Sequence, residues 1–265
     1  MGGKDPRHNV KRAILAFAKR FQVRDHWIPV RNCNIASCTL NINIAKQQEY
    51  QNSVPASSGT QQSPIDINTA DSVYDPQLKP LKISYDPRNC LRLRNNGYFF
   101  QVEFEDSKDS SVISSGPLKN HYRLKQFHFH WGSKSDRGSE HTVNNQVYPA
   151  ELHLVHWNPV KCKNSDEAIL SENGLAVVGV FLKLGKRHNS LQKLVDALPA
   201  VKHKDPIEVS IEQLAMFRSL FYTSIGEKQK NMVDNYRPVQ PLLKRTVYST
   251  IPSFRNSVSQ KNVYT

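Results

Sequence analysis

The sequence predicts a mainly β protein with a few peripheral helices, on a chain long enough for one large domain or two small ones. Three observations predict this. Short apolar or alternating runs recur between residues 63 and 185, most of them closed by Gly, Pro, Asn or Asp. The richest of these runs alternate with a period of two residues, the spacing of a strand with two unlike faces. Clean helical spacing is confined to a few short stretches.

Taken in chain order, the first element is not a strand. Residues 1–31 hold eight Lys or Arg against Asp5 and Asp25, and so supply +6 of a net charge of +13. Within them Ile14, Phe17, Ala18 and Phe21 recur at helical spacing beside Arg12, Lys19 and Arg20. A basic amphipathic helix poor in acids has the form of a mitochondrial presequence, with a basic surface helix or a loose arm as the alternatives. Its apolar part is too short, and too interrupted by Lys19 and Arg20, for a secretory signal. Nucleic-acid binding is the other use of such charge, but no zinc-finger, RNP-like or helix-turn-helix pattern accompanies it. Residues 32–53 are rich in Asn, Gln and Ser with little periodicity, and read as a linker or disordered segment.

The strand signals then follow one another: LRLR at 91–94, FFQVEF at 99–104, SSVISS at 110–115, FHFHW at 127–131 and ELHLVHW at 151–157. GLAVVGVFLKLG at 174–185 is apolar at nearly every position, which predicts a central strand buried on both faces. HNSLQKLVDAL at 188–198 is helical, with Leu191, Leu194, Val195 and Leu198 on one face. A second short helix is expected at about 210–221, with Ser210 as its cap and Gln213 at its third position. No run approaches the 18 or more apolar residues of a membrane span. The four cysteines, Cys33, Cys38, Cys90 and Cys162, form neither a CxxC pair nor a dense disulfide framework, which fits a reducing compartment.

Two strands carry chemistry. In FHFHW, His128 and His130 share one face while Phe127, Phe129 and Trp131 share the other. The imidazoles lie roughly 6–7 Å apart at Cα and can converge on one ion. A pair alone more often marks a hydrogen-bonded or solvated couple than a metal site. In ELHLVHW, Glu151, His153, Val155 and Trp157 fall on one face, with Leu152, Leu154 and His156 on the other. If the two strands are neighbours, His153 completes a three-imidazole site. Three protein ligands leave the fourth position of a catalytic zinc for water, and neutral imidazoles leave the ion its full charge to acidify that water. Glu151, two residues before His153, is placed to orient that ring from behind. His156 reads as a satisfied core histidine. Glu140 fits either a general base or a buried orienter, and the pattern leaves both open.

SEHTVNNQVYPAELHLV at 139–155 resembles, without a break, the diagnostic signature of the α-class carbonic anhydrases. QSPIDI at 62–67, NNGYFFQVEF at 95–104, QFHFHWGS at 126–133, GLAVVGVFLKLG at 174–185 and NYRPVQPL at 235–242 are similar to further motifs of that family. The likeness covers roughly 54–250, leaving 251–265 as a tail, and Tyr98, Phe99 and QKLVDALPAVKHKD at 192–205 resemble the vertebrate mitochondrial members. It implies a single domain around a large central mixed, mostly antiparallel sheet. It implies zinc on His128, His130 and His153, with Gln126 and Glu151 behind the ligands and His141 and Asn235 in structural roles. Val155, Leu175 and Val177 would line the pocket for carbon dioxide. The implied reaction is metal-hydroxide attack on carbon dioxide to give bicarbonate and a proton, open to sulfonamide and anion inhibitors. The mitochondrial matrix is the implied compartment, with the cytoplasm as the alternative. The family's fastest members carry a histidine shuttle where this chain has Tyr98. A phenol ordinarily titrates near 10, so proton export is left to water and rim groups.

The chain also departs from the family pattern. Residues 32–53 do not resemble the aromatic, Gly-Pro rich segment that usually precedes QSPIDI. KHKD runs directly into PIEVSIEQLAMFRSL at 206–220, where family members place a block with a Leu-Thr-Thr-Pro-Pro motif. That block supplies a sheet strand, pocket-wall aromatics and a threonine hydrogen-bonded to the glutamate found here as Glu140. Its absence implies a domain short of one or more strands and impaired catalysis. The alternative function is then an inactive zinc-binding or protein-binding scaffold.

Overall fold

The structure, a computed structural model, describes residues 61–185, 189–196, 198 and 217–251. The basic segment, the linker, most of the expected second helix and most of the C-terminal tail lie outside these residues. Eleven strands are found among the described residues: β1 (Asp66–Ile67), β2 (Val73–Tyr74), β3 (Leu81–Ser84), β4 (Cys90–Asn95), β5 (Phe100–Phe104), β6 (Val112–Ser115), β7 (Tyr122–Trp131), β8 (Thr142–Val143), β9 (Ala150–Trp157), β10 (Leu175–Leu182) and β11 (Tyr248–Ser249). Helix α1 (Ser165–Leu170) separates β9 from β10, and α2 (Asn189–Val195) follows β10. Asn164 caps α1 by accepting the Glu167 N–H at 2.8 Å.

The main sheet runs in the order β10-β9-β7-β5-β4, with β6 beside β7 and β3 beside β6, and its pairs are antiparallel. Parallel pairing is confined, among the described residues, to the short couples β1–β8 and β2–β11. Alternation builds one dry face. Phe100, Val102 and Phe104 from β5, Phe127, Phe129 and Trp131 from β7, and Leu152 and Leu154 from β9 join one core, closed over by Leu194, Leu198, Phe217 and Met232. Phe217 stacks among Phe100, Phe129 and Trp131 with centroids 5.3 Å from each. The opposite face carries the polar members of the same strands.

β7 achieves this with an irregularity. Leu124 lies opposite His156, but Gln126 lies opposite Val155, so Lys125 is an extra residue in the ladder. Before it the core-facing positions are Tyr122 and Leu124; after it they are Phe127, Phe129 and Trp131. The bulge thereby places Gln126, His128 and His130 together on the face away from the core.

One expectation meets a different outcome. β10 was expected to be central from its composition, yet it ends the sheet, with β9 as its one strand neighbour among the described residues. Its apolar side chains pack on both faces: Ala176, Val178, Val180 and Leu182 against the main core, and Leu175 and Phe181 against two smaller clusters. Composition reports what both faces touch, whereas sheet position depends on whether a further strand arrives at the open edge.

Candidate metal centre

The register of β7 on β9 sets His128 directly opposite His153 and His130 opposite Glu151. The three imidazoles converge, with ring centroids 4.9 Å apart for His128–His130, 5.4 Å for His128–His153 and 4.8 Å for His130–His153. All three are buried. Their potential donor nitrogens lie within 4.8 Å of one another.

Each ring is held from behind by an oxygen. Gln126 Oε1 is 2.9 Å from His128 Nδ1, the Asn235 carbonyl is 2.7 Å from His130 Nδ1, and Glu151 Oε1 is 2.7 Å from His153 Nε2. An oxygen acceptor behind a neutral imidazole fixes the proton on the rear nitrogen. In that neutral form the front nitrogens are Nε2 of His128 and His130 and Nδ1 of His153, and each carries a lone pair. Two of them face each other at 3.1 Å. Lone pairs so placed repel unless something electron-poor sits between them, so the donor set fits a divalent cation. Three nitrogen donors without a cysteine match an open, catalytic type of zinc site better than a closed structural one.

The electrostatics agree with neutral ligands at the first two positions. Burial pushes His128 well below the ordinary histidine value, helped by the charges of His130 and His153. Burial likewise lowers His130, against the pull of Glu140. For His153, burial pulls down, but the Glu151 carboxylate, bonded to it and aided by Glu140, lifts it overall. Glu151 itself stays well below the usual carboxylate range although burial opposes its charge, because His141 and His153 both face it.

Glu151 is fully committed. Its Oε1 also takes His141 Nδ1 at 2.8 Å, and its Oε2 accepts the backbone N–H groups of Glu140 and His141 at 2.9 and 2.8 Å. The cluster of His141, Glu151 and His153 is therefore accounted for by hydrogen bonds. Across the ladder from His153 stands Gly179. A Cβ there would sit 3.1 Å from Glu151 Oε1, so the glycine makes room for the carboxylate behind the ligand.

The other expected site residues are placed as follows. Glu140 is buried, takes the Arg237 N–H on Oε1 at 2.8 Å, and turns Oε2 to 3.5 Å from His130 Nε2 and 3.9 Å from His153 Nδ1. Val177 lies opposite Val155 in register, both half-buried, on the strand faces that carry Gly179 and His153. Leu175 is further along β10, packed with Trp157, Cys162 and Ala168. Tyr98 is half-buried in the β4–β5 turn, with its carbonyl 3.4 Å from Asn235 Nδ2. His156 is on the core face, 2.8 Å from the Tyr85 hydroxyl.

Three participants take roles more specific than those read from the sequence. Phe99 stacks on His128 with centroids 4.1 Å apart and planes 17° from parallel. Asn235 supplies the third acceptor from 105 positions along the chain, and its side chain also receives the Trp131 N–H at 2.7 Å. No local signal links it to β7. Gly179 does have one, since a glycine inside an apolar strand marks a close approach.

Comparison with known proteins closes the argument. The family model described as eukaryotic-type carbonic anhydrase matches residues 45–206 and 203–251. This chain belongs to the eukaryotic-type carbonic anhydrase family. It is 50% identical over 282 residues to carbonic anhydrase 5B, mitochondrial, of Rattus norvegicus, covering 90% of this chain and 88% of that protein. It is 46% identical to carbonic anhydrase 5A, mitochondrial, of Homo sapiens, covering 87% of this chain and 92% of that protein. Identity to carbonic anhydrase 7 of Mus musculus is 42%, over 73% of this chain and 89% of that protein. The family is a lyase family, and this chain brings His128, His130 and His153 together as a group that could hold a metal ion.

Proposed function

We propose that this chain hydrates carbon dioxide reversibly to bicarbonate and a proton, with zinc resident on His128, His130 and His153, in the mitochondrial matrix. The observation that carries the reading is the convergence of three buried imidazoles, each with an oxygen behind it, from Gln126, Asn235 and Glu151. Zinc held there supplies a Lewis acid that brings the pKa of a water ligand to about 7.

The protein's own residues do the rest. Gln126 and Glu151 fix the tautomers of His128 and His153 and so aim the front nitrogens at the ion as donors. Val155 and Val177 give an apolar wall against which a small, linear, apolar substrate rests beside the centre. Glu140, anchored through Oε1 by Arg237 N–H, offers Oε2 as an acceptor that orients a polar group at the open side. Tyr98 stands where the family's fastest members carry a histidine, so the proton leaves through water and rim groups.

Turnover is slower in this chain than in members that keep the Leu-Thr-Thr-Pro-Pro block. The comparison with the rat protein spans 282 residues yet takes in only 90% of this 265-residue chain, so that relative has residues without a counterpart here. The family match also falls in two stretches that adjoin at 203–206. The same observation favours a second reading, a zinc-holding scaffold with little turnover. Hydration assays on the zinc-loaded full chain, with zinc content measured on the same sample, separate the two. Hydration abolished by His128→Ala supports the enzyme. One zinc per chain without hydration, beside an active variant carrying the restored block, supports the scaffold. A full chain that takes up no zinc sinks both.

A further inference from the structure

We infer that the edge of β10 turned away from β9, which pairs with no strand among the described residues, is a self-association surface, through which two copies of this chain pair antiparallel about a two-fold axis and join their sheets. The edge has the features that an edge exposed to water ordinarily avoids. Leu175–Leu182 is eight residues long, contains neither charge nor proline, and keeps an unbroken register with β9. Gly179 is exposed at its middle, and six of its seven other residues are half-buried. Since β9 takes one side of the ladder, every second residue of β10 turns its N–H and C=O outward. Those groups have no strand neighbour among the described residues.

A second copy fits this edge by charge and by symmetry. Exposed Glu172 lies just before the strand and exposed Lys183 just after it. Antiparallel pairing brings the acidic end of one copy towards the basic end of the other, at both ends of the joint. Parallel pairing sets like charges together. The two-fold arrangement also closes, because each copy uses the same strand once, so the product is a dimer rather than a filament. Apolar side chains on both faces of β10 meet their counterparts across the joint, which places the all-apolar composition of this strand in a central position after all.

The test combines sedimentation velocity with hydrogen exchange on the full chain over a concentration series. A dimer is expected, and alternate amides within 175–182 should become slow to exchange as concentration rises. Lys183→Glu sets acid against acid at both ends of the joint, on an exposed residue outside the core and the histidine centre. It should weaken association several-fold while circular dichroism stays unchanged. If that variant fails to fold, the exchange pattern of the unmodified chain still decides. A monomer at all concentrations with fast-exchanging β10 amides overturns the inference. So does a monomer with protected β10, which assigns the edge to another segment of the same chain. Association that leaves β10 exchange unchanged overturns it as well.

Discussion

Glu151 serves two histidines with one oxygen and two backbone N–H groups with the other, and the residue-scale predictions start there. Removing it leaves His141 and His153 without their acceptor and frees the tautomer of a ligand. Glu151→Ala should weaken zinc binding about 10- to 100-fold, measured by competition with a chromophoric chelator. Gly179 tests the same point without touching any polar group. Because four hydrogen bonds pin Glu151, a methyl group 3.1 Å from Oε1 cannot be met by an easy shift. Gly179→Ala should therefore lower zinc affinity several-fold, and unchanged affinity would show that the carboxylate has slack. His156 gives a pH signature remote from the centre's front nitrogens. Burial depresses it from 6.5 to about 4, while its rear nitrogen bonds the Ala176 carbonyl at 3.2 Å. A histidine depressed in the folded state binds fewer protons folded than unfolded between those values. Stability is then complete above pH 6.5 and falls as pH drops towards 4, by about 3 kcal/mol in all. Metal-free urea melts should show a shallower acid slope for His156→Asn than for the unmodified chain. Equal slopes would mean that other buried groups, His128, His130 and Glu151 among them, carry the acid sensitivity.

At the scale of elements, β7 and β9 hold both the core and the site. Phe129, fully buried between Phe100 and Phe217, is the clearest packing probe: Phe129→Ala should cost about 3–5 kcal/mol in denaturant melts. These two strands were also the most legible part of the sequence, because His128 and His130 alternate with aromatics and His153 alternates with leucines. Alternation needs only neighbours in the chain. What remained illegible depends on distant ones. Lys125 shows no glycine or proline to mark its bulge, and its extra position is defined only by the register against β9. Asn235 lies in a segment without periodicity, so its carbonyl behind His130 had to be seen in three dimensions. β10 was legible as a strand, but its place at the end of the sheet among the described residues was not, since a strand's own composition does not record its neighbours.

For the whole molecule, metal and fold are linked by mass action. The three donors sit on two strands and are braced by Asn235 from a third region, so the unfolded chain offers no comparable site. Free zinc at a hundred times its dissociation constant should add about 2.7 kcal/mol to stability. Chelation should lower the melting temperature of the unmodified chain, and His130→Ala should melt at one temperature with or without zinc. Should the unmodified chain melt alike in both conditions, the ion would have to be bound elsewhere or not at all.

The bulge at Lys125 makes β7 a strand with two parities. Even-numbered residues face the core upstream of it, odd-numbered ones downstream, and the ligand histidines owe their outward aim to that change of parity. Deleting Lys125 would force a single parity on the whole strand. Three buried aromatics outweigh Tyr122 and Leu124, so the downstream frame should prevail and the loss should fall where β6 pairs with Arg123 and Tyr122. A chain shortened by that one residue should therefore still hold zinc while unfolding more readily. An added residue between Phe127 and His130, by contrast, should erase the ion's seat in one step. The metal centre is in this sense a checksum on half of one strand, indifferent to errors written before it.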